Sequence, residues 1–150
     1  MAKPKDYALY YVCSLIEYIG RERKLKRRDV VNAIGKEKLA HLYELADIYH
    51  CEPIAKIVDE VVHERNIPKG NFDNVAAAEY HIPDAWTIGD VYSRLIHDVH
   101  NSGDVVDTLI EVYSSAWIDD GISDYNCVFY FQPREYLAES YRAGNFLEGF

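Results

Sequence analysis

His97 and His100 are the pair whose type and spacing come nearest to a metal site. Three positions apart on a helix, two imidazoles share one face and can share one metal, and Asp104 follows as an oxygen donor. On that spacing a metal-dependent hydrolase is the second alternative function for this chain. Leu95, Ile96 and Val99 form the apolar stripe of the same segment, which sets both histidines on its polar flank. Asp104 lies beyond the Asn101-Ser102-Gly103 break, so helix geometry does not fix it against them. His50-Cys51 are sequence neighbours that diverge on a helix, and His63-Glu64 lacks the second histidine of a zinc-protease helix. Ser114-Ser115 sits inside a helical pattern rather than on the strand-to-helix turn that exposes a nucleophile. The eight glycines are scattered singly, so no phosphate-cradling loop forms. The acidic pairs Asp59-Glu60 and Asp119-Asp120 have no neighbour that would tune them for acid or base work. No catalytic centre emerges, and the chain reads as non-enzymatic and without a cofactor.

Charge points to partners instead. Arg21, Arg23, Lys24, Lys26, Arg27 and Arg28 precede a short helix from Asp29, then Gly35, then a helix from Lys36. That outline is a helix-turn-helix, so a DNA-binding regulator using residues 21–38 is the first alternative. Against it, Lys36 to His41 offers no Arg, Asn or Gln for bidentate contacts to base edges, and Glu44 and Asp47 would meet phosphates. The whole chain of 150 residues carries 16 Lys plus Arg, 25 Asp plus Glu and a net charge of −9. Residues 1–40 hold ten basic groups against five acids, whereas residues 71–150 hold three against fourteen. So uneven a division marks a polyelectrolyte partner, or two ends that pair with each other.

The aromatic content favours protein over nucleic acid. There are 13 tyrosines; Tyr7, Tyr10, Tyr11 and Tyr18 cover more of the first helix than one core stripe needs. Tyr125, Phe129, Tyr130, Phe131, Tyr136 and Tyr141 crowd into 17 residues of the tail. A core absorbs many such rings; a surplus suits a recognition face, where tyrosine joins apolar area to a polar tip. Tyr125, Phe129, Tyr130 and Tyr136, with Asp119 and Asp120, are therefore the expected partner-binding residues. The leading reading is a protein-interaction module whose acidic second half steers a basic protein partner, with a homodimer as the other arrangement.

These residues must be positioned by helices. Asp6 caps a helix from Tyr7 to Glu22, with Ala8, Tyr11, Val12, Leu15, Ile16 and Ile19 on one stripe and Gly20 weakening its end. Further helices are expected from Asp29 to Ile34, from Lys36 to His50 and from Pro53 to Arg65. Residues 67–74 read as a turn-rich connector, with a short helical piece from Val75 to Tyr80. Thr87-Ile88-Gly89-Asp90 resembles a capping box opening the next helix, and Asp104 caps another through Trp117. Asp119-Asp120-Gly121 reads as a turn, and Pro133 opens a last helix that Gly144 ends. Only Cys127 to Phe131 has strand-like content, and one strand makes no sheet alone. The expected fold is all-α: a single helical domain over 1–150, a bundle-like array of halves 1–66 and 75–150, with at most one extended segment near 127–131. No apolar run reaches the roughly 18 residues a membrane span needs, and the three cysteines, odd in number and far apart, suit a reducing cytoplasm.

Three segments together carry a likeness: Leu15-Ile16-Glu17-Tyr18, then Asp47-Ile48-Tyr49-His50, then Ile57-Val58-Asp59-Glu60-Val61. The first half thereby resembles a small bacterial helical domain family of uncharacterised function. That family bears an Ile-Glu pair on a leading apolar helix, and a Tyr-x-x-(Leu)-His segment before an Ile-Val-x-Asp-Ile helix. Here Tyr49 and His50 are adjacent, a departure from its pattern. Genes of the family often lie beside proteins resembling ADP-ribosyltransferases. The resemblance implies an antitoxin-like or accessory partner of such a toxin.

Overall fold

The computed structural model describes residues 5–147, and every regular element among them is helical. The order is α1 (Tyr7–Arg23), α2 (Arg27–Ile34), α3 (Lys36–Glu44), α4 (Ala46–Tyr49), α5 (Ile54–Glu64), α6 (Ala85–Val99), α7 (Val105–Ser114), α8 (Ala116–Ser123), a 3-10 turn (Phe129–Phe131) and α9 (Arg134–Ala143). Among the described residues, no helix is long and apolar enough to cross a membrane.

Asp6 caps α1 as its sequence suggests, accepting from the Leu9 amide at 2.9 Å. The helix passes through Gly20, as expected. It runs on to Arg23, and Lys24 closes it in the left-handed conformation at φ 56°. Gly20 serves packing rather than termination. A Cβ there would lie 2.3 Å from Cδ of Arg27, so the missing side chain makes room for a buried guanidinium. Residues 11–17 of α1 are all buried, the mark of a central helix rather than an amphipathic surface one. α6 is its principal partner. At their crossing a Cβ on Gly89 would come within 2.7 Å of the Ser14 backbone, so the two helices approach almost to backbone contact. α2, α3 and α5 cover other faces of α1, α7 bridges α2, α3 and α6, and α9 packs on α6. Both halves of the chain thus supply one continuous apolar core, from Leu9 and Ile16 to Val112 and Leu137.

Local expectations fail where tertiary packing decides. The expected helix from Lys36 to His50 breaks at Leu45 (φ −107°, ψ 20°) into α3 and α4. Val75 to Tyr80 forms turns, not a helix, anchored by Asp73 accepting from the Ala76 amide. α6 starts at Ala85, not Thr87; its cap is Asp84, which accepts from the Trp86 amide at 2.8 Å. The helix expected to reach Trp117 ends at Ser114, and α8 then continues through Asp119-Asp120-Gly121, which is not a turn. Cys127 to Phe131 is not extended: a turn joins the Cys127 amide to the Asp124 carbonyl, and one 3-10 turn follows.

Candidate partner-binding surface

The basic stretch is engaged inside the molecule. Arg27, 0% exposed, donates from Nε to Oε1 of Glu17 at 2.8 Å and from Nη2 to Oε2 at 3.0 Å. Its remaining donors reach the Leu25 carbonyl and Oδ1 of Asn74, and Asn74 in turn donates to the Ser123 carbonyl. Arg21 donates to Glu17 at 2.8 Å, to the Pro83 carbonyl at 2.6 Å and to the Tyr125 hydroxyl at 3.0 Å. The Tyr125 hydroxyl donates to the same Glu17 carboxylate. Arg28 pairs with Asp119 and Asp120, Lys26 with Asp120, Lys24 with Asp73, and Arg23 weakly with Glu22 at 3.9 Å. All six cations expected to face phosphates therefore have carboxylate partners, and Arg27 has no exposed atom for a phosphate to reach. Lys24, Lys26 and Arg28 thus pair with carboxylates of the acidic second half, while Arg21, Arg23 and Arg27 pair within the first.

Burial and charge compete over the two deepest acids. Desolvation alone would raise the Glu17 pKa, but the guanidiniums of Arg27 and Arg21 hold it below the ordinary carboxylate value. Asp119 goes the other way: burial pushes it up against the opposing pull of Arg28. It accepts from the Arg28 amide, from Tyr92 and from Ser123, so its oxygens face inward. Tyr125, buried beside Glu17, is pushed up to about 12.

The expected recognition residues divide by depth. Tyr125, Phe129 and Tyr130 are at most 9% exposed, and Asp119 is 1% exposed, so these four belong to the interior rather than to a docking face. Tyr136 is half-buried, its ring against Phe129 and its hydroxyl donating to the Leu147 carbonyl. Asp120 is exposed and paired. What the tail does present is the other side of the same 3-10 turn, Val128 at 66% and Phe131 at 80% exposure. Facing outward from a neighbouring loop are Tyr80 at 81% and Ile82 at 45%. Asn126 stitches the two loops together, accepting from the Glu79 amide and donating to the Ala77 carbonyl. The Arg21 bridge from Pro83 to Tyr125 ties them a second time. Two aperiodic loops, joined by Asn126 and Arg21, thus each present large apolar side chains to the outside. Nothing in the sequence singles out Tyr80 and Ile82, because Pro83 and the lack of periodicity give their segment the look of a plain connector.

The paired histidines separate. His97 lies on α6, whereas His100 is past its end in extended geometry (φ −68°, ψ 125°), with Nδ1 2.7 Å from Oγ1 of Thr108. The shared helix face that their spacing implied does not form, and among the described residues no three His, Cys, Asp or Glu side chains converge as a metal site would require. No protein-family model, curated protein or solved structure matches this chain.

Proposed function

We propose that this chain is a protein-binding module that receives a basic protein on the face built from residues 76–83 and 124–131. One observation carries the reading: Tyr80, Ile82, Val128 and Phe131 stand 45–81% exposed on two loops that Asn126 and Arg21 join by hydrogen bonds. Large apolar side chains ordinarily anchor an interface when they are displayed on a rigid support. Charge selects the partner. Glu79, Asp84, Asp124 and Glu135 are exposed on or beside these loops, and none makes an ion pair among the described residues. With a net charge of −9, a second copy meets repulsion where a basic protein is drawn in. By the family resemblance, an ADP-ribosyltransferase-like toxin encoded nearby is the partner to try, with this chain as its antitoxin-like neutraliser.

The test is calorimetric titration of that neighbouring basic protein at increasing salt, with wild type and with Tyr80→Ser/Phe131→Ser. Loss of two aromatic anchors, about 2 kcal/mol each, should weaken binding by at least about a hundredfold without lowering thermal stability. Binding that ignores both salt and these substitutions would overturn the reading. A concentration-dependent dimer abolished by Phe131→Ser would reassign the face to self-association.

A further inference from the structure

We infer that the cleft adjoining this face is a socket for one arginine side chain of the partner. The inference rests on the protein-binding reading above and names the chemistry that the partner must display. The cleft, about 470 Å³, opens between the end of α8 and the loop around residue 72, with Asn126 in its wall. Asn126 is also the residue that fastens the two apolar-bearing loops, so the cleft and the face share a boundary.

Three carboxylates line it, Asp73, Asp120 and Asp124, against a single ammonium, Lys26. Asp73 is engaged by Lys24, and Asp120 by Lys26 and Arg28. Asp124 is not engaged by any cation among the described residues; Oδ1 accepts from the Asn126 amide and Oδ2 is left to accept from a visitor. The Phe72 ring forms another wall, and the chain's own Lys26 sits 5.7 Å from its centroid while 3.6 Å from Asp120. A cation against an aromatic ring and a carboxylate is thus a geometry the cleft already supports. A guanidinium suits such a site better than an ammonium does, because its flat face stacks on a ring while its edge donates to a carboxylate. A neutral side chain of the same shape has no such call on the carboxylate.

The probe is N-acetylarginine amide, titrated into the full chain and followed by amide proton–nitrogen correlation spectra, with the neutral isostere N-acetylcitrulline amide as control. Residues 71–74 and 123–126 should shift saturably with the arginine probe and not with citrulline. Asp124→Asn keeps the oxygen that accepts from Asn126 and removes only the charge; it should weaken binding about tenfold, and Phe72→Ser should do likewise. Tyr80→Ser/Phe131→Ser should leave the arginine titration unchanged, which separates a failed socket from a failed apolar face. No saturable shift, equal shifts from citrulline, or indifference to both Asp124→Asn and Phe72→Ser would overturn the assignment.

Discussion

Replacing Glu17 with alanine should cost about 3–5 kcal/mol of folding free energy, the usual loss when one member of a buried ion pair is removed. Glu17 and Arg27 are 2% and 0% exposed at their side chains and meet through two hydrogen bonds of 2.8 and 3.0 Å. Unit charges about 4 Å apart interact by about 4 kcal/mol at an effective dielectric of about 20. Arg21, 19% exposed, adds less because solvent screens it. Without Glu17, Arg27 keeps only the Leu25 carbonyl and the Asn74 amide oxygen, two neutral acceptors for a buried cation. Arg21 and Tyr125 lose their carboxylate as well. The assay is urea unfolding followed by circular dichroism, comparing midpoints at unchanged slope. Glu17→Met/Arg27→Met is the control: with both charges gone, at least half of the loss should return. A Glu17→Ala loss below about 1 kcal/mol, or a double variant no better than the single, would refute the view that the pair is held by mutual charge compensation.

Gly20→Ala should destabilise by about 1–3 kcal/mol although alanine is the better helix former, since its methyl would overlap Arg27 at 2.3 Å; a higher midpoint in urea would show that the guanidinium has other room. On the acid side, the folded pKa of Glu17 lies below its unfolded value, so its contribution is complete above about pH 4.3 and fades as pH falls through the folded value. Asp119, whose folded pKa is raised, acts oppositely: its contribution is complete below about pH 3.9 and is lost as pH rises through the folded value. Asp119→Asn should therefore flatten the stability–pH curve above about pH 3.9, and Glu17→Gln below about pH 4.3; curves parallel to wild type would count against both assignments. On the alkaline side, burial raises Tyr11 and Tyr125 to about 12, so stability should fall once pH passes the unfolded phenol value of about 10. Tyrosinate absorbance and helix loss should then rise together, and full ionisation with the helices intact would contradict it.

Several elements were legible because their signals are local. The apolar stripe of α1, the Asp6 and Asp104 caps and the Gly144 stop each depend on residues within one or two turns. The breaks at Leu45 and Ser115 carry no Gly or Pro, and the apolar period runs through both. Asp119-Asp120-Gly121 has turn-like composition, yet Asp119 is drawn inward by Arg28, 91 positions away, and by Tyr92. No window of sequence contains those partners. The same limit applies to the loops of the tail. Aromatic density marks this stretch of the tail, but only the 3-10 turn decides that Phe129 and Tyr130 enter the core while Val128 and Phe131 leave it. The basic run was legible as a cluster, but not its pairing, because its anions come from α1, α8 and the loop at Asp73.

The burial of α1 on all sides also sets an order of events during synthesis. α1 leaves the ribosome well before α6, which begins at Ala85 and supplies its principal cover. Until then Leu9, Val12, Ile16 and their neighbours lack the cover that α6 supplies, and Arg21 lacks its bond to Pro83. Tyr125 joins the Glu17–Arg27 pair later still. Folding is consequently tied to translation of nearly the whole chain. A nascent fragment ending before α6 leaves the α6-facing side of α1 uncovered, and such a surface is a natural client for chaperones at the exit tunnel.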